Sequence, residues 1–517
     1  MALPTHDAAE RTNGSTISGE STVGLENARQ QANGQDDIEV LDQLPPESVE
    51  RVYTKQVEDA EGSWAHDPEN PYNWSRRKKN YQVLSVAVQA LVASIGTSII
   101  SSSRSQLMEH FNVGSTVAIM PLSLYVLALA CGPVLGGPAS ETLGRMPVYL
   151  VAIPLGALFT VGAGLSQNFA SLCILRFLAG FSFSPALAIG PATVADIFTK
   201  EQRGIPSIIF VTTPMLGPGL GPVIGSFVAV RKGWRWTQWT LAFMASFSLL
   251  ITLFARETHH HILIRRRAKN NKFLLPPPIP FRARIRLFLT VSLLRPMYML
   301  FTEPIVGFVS LYASCSFATL FAFFAAFPYV FTITHQFSTE EIGLTFLAIV
   351  IGCLFAVPTV ALCDVFLYRR QIPNYPPNKV PPEHRLYPAM IGGIGLPLGL
   401  FWFAWTAKKE ISWVSPTLAA IPFAWGNLSV FIGTASYMLD SYTPMTAASA
   451  MSANGFARYA LGAAFPLFTL QMYQKLGIGW ATSLLGFISV ALLPTPWVLF
   501  QFGKKIRAMS HYETADS

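Results

Sequence analysis

Arg176 stands in the stretch from Leu172 to Phe198, LCILRFLAGFSFSPALAIGPATVADIF, which is otherwise apolar and long enough to cross a bilayer, roughly 20 residues being needed. An arginine in hydrocarbon costs about 2.5–3.5 kcal/mol on insertion scales, so it faces a cavity or a partner and marks a path for solutes or protons. The competing reading is a side chain that snorkels to the headgroups, since Arg176 lies only about five residues from the end of its span. Beyond a charged turn from Asp196 to Arg203, the next stretch reads TTPMLGPGLGPVIGSF. Prolines remove helix hydrogen bonds and glycines allow close backbone approach, so Gly217, Pro218, Gly221, Pro222 and Gly225 describe a bent, tightly packed helix. Such a helix serves either as a hinge or as a close-packed wall.

A second constellation is GGPASETLGRMP, in which the Glu141 carboxylate precedes the Arg145 guanidinium by four residues around Gly144. On a tight turn this suits a charged latch that pairs with neighbouring helix ends and breaks when parts of the molecule rock. Arg458 falls about ten residues into another apolar stretch, with Asp440 as its nearest acid in sequence. Polar and aromatic groups in other apolar stretches are candidates to line a cavity: Gln89, Tyr125, Tyr312, Phe317, Trp425, Asn427 and Tyr437. An aromatic wall suits large, mostly apolar or weakly cationic molecules. Each of these aromatics has core packing or lipid contact as its alternative. Carboxylates are scarce: Glu303, Asp364 and Asp440 fall at the ends of apolar stretches, which argues against polyamine substrates.

Metal and enzyme chemistry find little support. His259, His260 and His261 stand together but alone in a basic loop, whereas a metal site needs several spaced ligands. The five cysteines lie in or beside apolar stretches with no CxxC pair and read as packing residues. No GxSxG element is present. No cofactor is expected.

The elements that must position these groups are membrane helices. Of 517 residues 51% are apolar and 13% charged, which excludes an ordinary soluble domain. The formal charge of +8 is unevenly spread, because residues 1–70 hold 15 of the 29 acids and 4 of the 37 bases. The basic excess elsewhere lies in loops between apolar spans and reports membrane orientation rather than nucleic-acid binding. The polar first 70 residues or so are expected to be disordered, and no apolar core follows the initiating Met as a cleavable signal would require.

Twelve spans are expected near 80–103, 117–138, 147–166, 171–195, 206–230, 236–254, 305–332, 341–363, 386–407, 412–439, 446–471 and 480–502. An even number puts both termini on one side. That side collects about 24 Lys and Arg against about seven opposite, which makes it cytosolic. Arg231, Lys232 and Arg235 run against this rule, on an outer turn. The loop from Ala255 to Phe301 divides the spans six and six, and Asp364 with Arg369 and Arg370 echoes Glu141 with Arg145. The organisation is therefore a tail at 1–79, a six-helix half at 80–254, a central loop at 255–304, a second half at 305–503 and a tail at 504–517.

Several motifs resemble one family. Gly137-x-x-x-Glu141-x-x-Gly144-Arg145 resembles the loop signature of the major facilitator superfamily, and Gly217-x-x-x-Gly221-Pro222-x-x-Gly225 resembles its antiporter signature in the fifth span. Arg176 with Gly180 resembles the fourth-span signature of the same drug:proton antiporters. Asp67 to Trp74 (DPENPYNW), Arg256 to Thr258 (RET), Pro382 to Leu386 (PEHRL) and Gly462 to Phe468 (GAAFPLF) resemble the fungal twelve-span branch. Thr142 and Met146 stand where the loop signature usually carries bases, and Ser226 follows Gly225.

The resemblance implies the major facilitator fold, alternating access, and export of drugs, toxins or secondary metabolites against proton entry at a fungal plasma membrane. It further implies proton coupling and gating through Arg176, Glu141, Gly144, Arg145, Asp196 and Arg458, with the Gly-Pro helix limiting leak. The partners would be a small-molecule substrate, protons and the bilayer. An uptake carrier, an amine or polyamine transporter of the same fold, a sensor and a membrane enzyme are the alternatives.

Overall fold

The computed structural model describes residues 64, 66–199, 202, 204–260, 262–264, 266, 290, 293–376, 380–512 and 514. The expected disorder of the first 63 residues lies outside these, as do Lys200, Arg203, His261, Lys379 and most bases of the central loop.

Among the described residues ten helices are long and apolar enough to cross a membrane, and the bent pair Val117–Gly132 and Gly136–Leu143 makes an eleventh span. The longest helix breaks at Gly477, whose φ of +75° and ψ of 164° no helix accommodates, so it contributes two spans and the total is twelve. In chain order they are α1 (Arg76–Ser98), α2 (Met120–Leu143), α3 (Arg145–Leu165), α4 (Phe169–Ile197), α5 (Gly204–Lys232) and α6 (Trp234–Leu253). They continue as α7 (Pro304–His335), α8 (Thr339–Asn374), α9 (Pro382–Thr406), α10 (Val414–Ser441), α11 (444–476) and α12 (478–507). The alternation of direction brings the start of α1 and the end of α12 to one face, called here the terminal face.

The packing repeats with an offset of six. Helix α1 packs on α5 as α7 packs on α11; α2 packs on α4 as α8 packs on α10; α3 packs on α4 as α9 packs on α10. Between the halves α2 meets α11 and α5 meets α8, which the same offset interchanges. Two related six-helix halves account for this pattern, and an all-α membrane fold follows.

Large apolar side chains point outward along the spans, among them Val151, Leu158, Phe243, Phe247 and Phe308, where hydrocarbon rather than water is the suitable solvent. Inside the second half, phenylalanines of α7 interdigitate with those of its neighbours. Phe327 stacks on Phe403 of α9 with ring centroids 5.3 Å apart, and Phe323 meets Phe423 of α10 edge-on at 5.0 Å.

Candidate functional site

Arg176 does not snorkel. Its side chain is 0% exposed, turned into the first half where four helices converge. Nη2 donates to the Gly96 carbonyl of α1 at 2.5 Å, Nη1 to Gln238 Oε1 of α6 at 3.4 Å, and Nε to the Pro121 carbonyl of α2 at 3.5 Å. The guanidinium also lies over the Tyr125 ring, 4.3 Å from its centroid, and the Tyr125 hydroxyl donates to the Ala93 carbonyl at 2.9 Å. Glycines create the room: a Cβ on Gly96 would come within 2.2 Å of the Tyr125 hydroxyl, and one on Gly180 within 2.5 Å of the Tyr125 carbonyl. Every acceptor is neutral, and no carboxylate pairs with Arg176 among the described residues. An arginine stays protonated, so this group acts as a fixed positive field on other titrating groups and not as a proton donor.

At the terminal face Arg145 opens α3 and reaches the end of α4, where its Nε lies 3.1 Å from Asp196 Oδ2. Its Nη1 donates to Ser140 Oγ at 2.6 Å. Gly144 before it has φ +104°, a conformation suited to glycine, and a Cβ there would meet Glu257 Oε2 at 2.4 Å. Glu257 collects four backbone amides: Arg145 at 2.9 Å, Met146 at 3.1 Å, Thr258 at 3.0 Å and His259 at 2.9 Å. A carboxylate thus caps the N-terminus of α3, where the helix dipole favours negative charge. Glu141 is not brought to Arg145; it is exposed and unpaired among the described residues.

The second half repeats the joint. Arg385 at the start of α9 donates through Nε to Asp440 Oδ2 at the end of α10, 2.7 Å away, and its Nη1 lies 3.6 Å from Asp364 Oδ1. Asp364 also takes Arg369 Nε at 2.9 Å. Asp440 is therefore committed to Arg385 and does not pair with Arg458. Glu303, before α7, accepts from the Tyr442 hydroxyl at 3.0 Å, Ser510 Oγ at 2.6 Å and the His511 amide at 2.9 Å. Burial first, and the Glu303 carboxylate second, raise the pKa of the Tyr442 phenol.

The Gly-Pro helix α5 is a single helix with Pro214, Pro218 and Pro222 inside it. Its glycines face α1: a Cβ on Gly217 would lie 2.5 Å from Ser94 Cβ, one on Gly221 1.9 Å from Ser98 Oγ, and one on Gly225 2.2 Å from the Ile99 carbonyl. Pro218 lacks the amide that the Pro214 carbonyl would accept from, and Ser94 Oγ takes that carbonyl at 2.5 Å. Ser98 donates to the Gly217 carbonyl at 3.2 Å and Ser102 to the Pro222 carbonyl at 3.1 Å. The other side of α5 serves the second half, where a Cβ on Gly219 would meet Val350 Cγ2 of α8 at 2.6 Å. The serines at 94, 98 and 102 were not anticipated; their four-residue spacing in the first apolar stretch was the available signal.

The expected cavity residues divide. Tyr125 lies under Arg176. Phe317 packs against Tyr459, ring centroids 5.3 Å apart, beside Arg458. Asn427 Nδ2 donates to the Ser316 carbonyl at 2.9 Å and Trp425 Nε1 to Thr359 Oγ1 at 2.9 Å, so both tie helices together. Gln89 Nε2 donates to Thr252 Oγ1 at 2.8 Å between α1 and α6. Tyr312 is buried toward α9, its hydroxyl 2.8 Å from where a Gly393 Cβ would stand. Tyr437 is fully buried near the terminal face, in a core with Ile305 and Leu499. Between α2 and α11 an apolar cleft of about 220 Å³ is lined by Ser123, Leu124, Leu127, Ala460, Ala463 and Leu467.

On the far face Arg231, one of the bases that ran against the orientation rule, is 3.3 Å from Glu340 at the start of α8 and so bridges the halves. Arg235 donates to the Ser166 carbonyl at 3.2 Å and covers the Trp234 ring. Gln471 of α11 hydrogen-bonds Thr116 just before α2, a second tie between halves on that face.

Comparison with known proteins follows the same lines. The profile described as Major Facilitator Superfamily matches residues 86–466. Polyamine transporter 4 of Saccharomyces cerevisiae is 35% identical over 475 residues, covering 86% of this chain and 72% of the relative. Efflux pump FUB11 of Gibberella moniliformis is 35% identical over 458 residues, covering 86% and 76%. The partially occluded inward-open structure of the xylose transporter XylE from E. coli superposes with a TM-score of 0.60 over 82% of this chain and 98% of that one, at 17% identity, a likeness of fold. These relatives are transporters and not enzymes. The chain belongs to the major facilitator superfamily.

Proposed function

We propose that the protein exports small, mostly apolar molecules in exchange for protons, by alternating access between its two halves. The observation that carries this reading is the α1–α5 seam, where glycines, prolines and serine hydroxyls join two helices of one half at van der Waals contact while the opposite side of α5 rests on α8. A half built this way rocks as a unit, and the Arg145–Asp196 and Arg385–Asp440 joints brace each unit at the terminal face. Glu141 is free to pair in another state of the cycle. In this reading Arg176 sets the field in which protonation is coupled to movement, and the Gly-Pro seam limits leak. The likeness to an efflux pump supports export; the concentration of bases at the terminal face supports cytosolic termini in a plasma membrane.

The likeness to a polyamine transporter supports a second reading, amine transport. Against it, the two charges that lie deep in a span, away from its ends, are both arginines, Arg176 and Arg458, which would repel a polycation. The deciding experiment is accumulation of a panel of fluorescent drugs, fungal toxins and polyamines in pump-deficient yeast expressing the protein, with and without a protonophore. Lower accumulation of apolar compounds, abolished by the protonophore, is expected. Raised accumulation would establish uptake instead, and selective loss of polyamines would establish the amine reading.

A further inference from the structure

We infer that Arg458 is the docking point for a carboxylate on the transported molecule, so that the preferred substrates are apolar weak acids carried as anions. The inference rests on the export reading above and adds its substrate class.

Arg458 on α11 is 8% exposed. Aromatic rings from three helices crowd its guanidinium: Phe431 of α10 at 4.2 Å, Phe317 of α7 at 4.8 Å and its neighbour Tyr459 at 4.9 Å. Such contacts stabilise the charge through the ring faces and leave the N–H donors unused. Its Nε and Nη1 are buried and find no acceptor among the described residues. The contrast with Arg176 is direct, because there Nε, Nη1 and Nη2 all have acceptors.

Among the described residues no carboxylate pairs with Arg458. Residues 304–339, 411–439 and 441–512 contain no Asp or Glu, and Asp440 between them is held by Arg385. Leaving a buried guanidinium with unmet donors is costly, whereas a carboxylate is an acceptor matched to it in charge and plane. The surrounding rings offer the body of such a ligand apolar and aromatic contact. A cation would meet only repulsion, and a neutral amide would satisfy the donors without the charge.

The test compares three compounds of one shape: 4-butylbenzoate, 4-butylbenzamide and 4-butylbenzylamine. Binding to the purified full-length protein is read by calorimetry, and movement is followed in proteoliposomes under an imposed pH gradient. The acid is expected to bind about tenfold or more tightly than the amide, with the amine weakest. Arg458→Gln should erase the acid's advantage over the amide, and Arg458→Lys should restore part of it. Equal binding of acid and amide by the native protein overturns the inference, whether or not the variants fold; so does an unchanged acid preference in Arg458→Gln. Preferential binding of the acid with no gradient-driven movement of any compound would instead overturn export and leave the anion site standing. Movement of the amide or amine with no binding of the acid would do the reverse.

Discussion

Arg385 donates to Asp440 across 2.7 Å at the α9–α10 joint, and this contact is the counterpart, six helices on, of Arg145 with Asp196 at 3.1 Å. The two joints differ in surroundings. The side chains of the first are 11% and 19% exposed, those of the second 31% and 34%, and Arg385 has Asp364 as a second acid. Asp196→Asn should therefore cost about 3 kcal/mol in detergent unfolding, against about 1 kcal/mol or less for Asp440→Asn. Equal losses would show that burial and the spare carboxylate do not decide the matter.

Glu257 and Glu141 lie close in space to the same turn yet should respond oppositely to substitution. Glu257→Ala strips four amides at the start of α3 and should lower stability by about 3 kcal/mol or more. Glu141→Ala touches nothing and should change stability by under about 0.5 kcal/mol. If Glu141 pairs elsewhere in the cycle, the same variant slows transport; full activity would remove it from the gating group.

Gly221→Ala puts a Cβ 1.9 Å from Ser98 Oγ. If the proposed export holds, it should reduce protonophore-sensitive efflux at least tenfold with the protein still reaching the membrane. Adding Ser98→Gly removes the obstructing hydroxymethyl group and should recover part of the activity. A double variant no better than the single one would mean that the seam's tightness is not what the glycine supplies.

Arg176→Lys keeps a positive charge but reaches one acceptor at a time, whereas the guanidinium holds carbonyls or amides of three helices. Both Arg176→Lys and Arg176→Ala should abolish pH-driven transport. Activity retained in the alanine variant would show that coupling does not depend on this charge.

Much of this was readable from residue order. The spans were legible because hydrocarbon demands long apolar runs, and their observed ends lie within about five residues of the expected ones save for α8, which runs on to Asn374. The Arg176 span and the Gly-Pro helix were legible because a charge or three prolines in such a run is conspicuous. What stayed hidden was pairing. Nothing local says that Glu257, in a loop, caps α3 more than a hundred positions earlier, or that Asp440 takes Arg385 rather than Arg458. Snorkelling of Arg176 was a sound alternative until Gly96, Gly180 and Gln238 were seen to make a site for it. Trp425, Asn427 and Gln89 looked like cavity walls by type, but their donors find acceptors on neighbouring helices.

Along the α1–α5 seam Ser94, Ser98 and Ser102, four residues apart, each donate to a carbonyl of α5, those of Pro214, Gly217 and Pro222. A helix turn advances about 5.4 Å, so serines four residues apart reach α5 about once per turn along the whole contact. The three hydroxyls thus act like rivets along the seam, so α1 and α5 travel together and relative motion is left to the boundary between the halves.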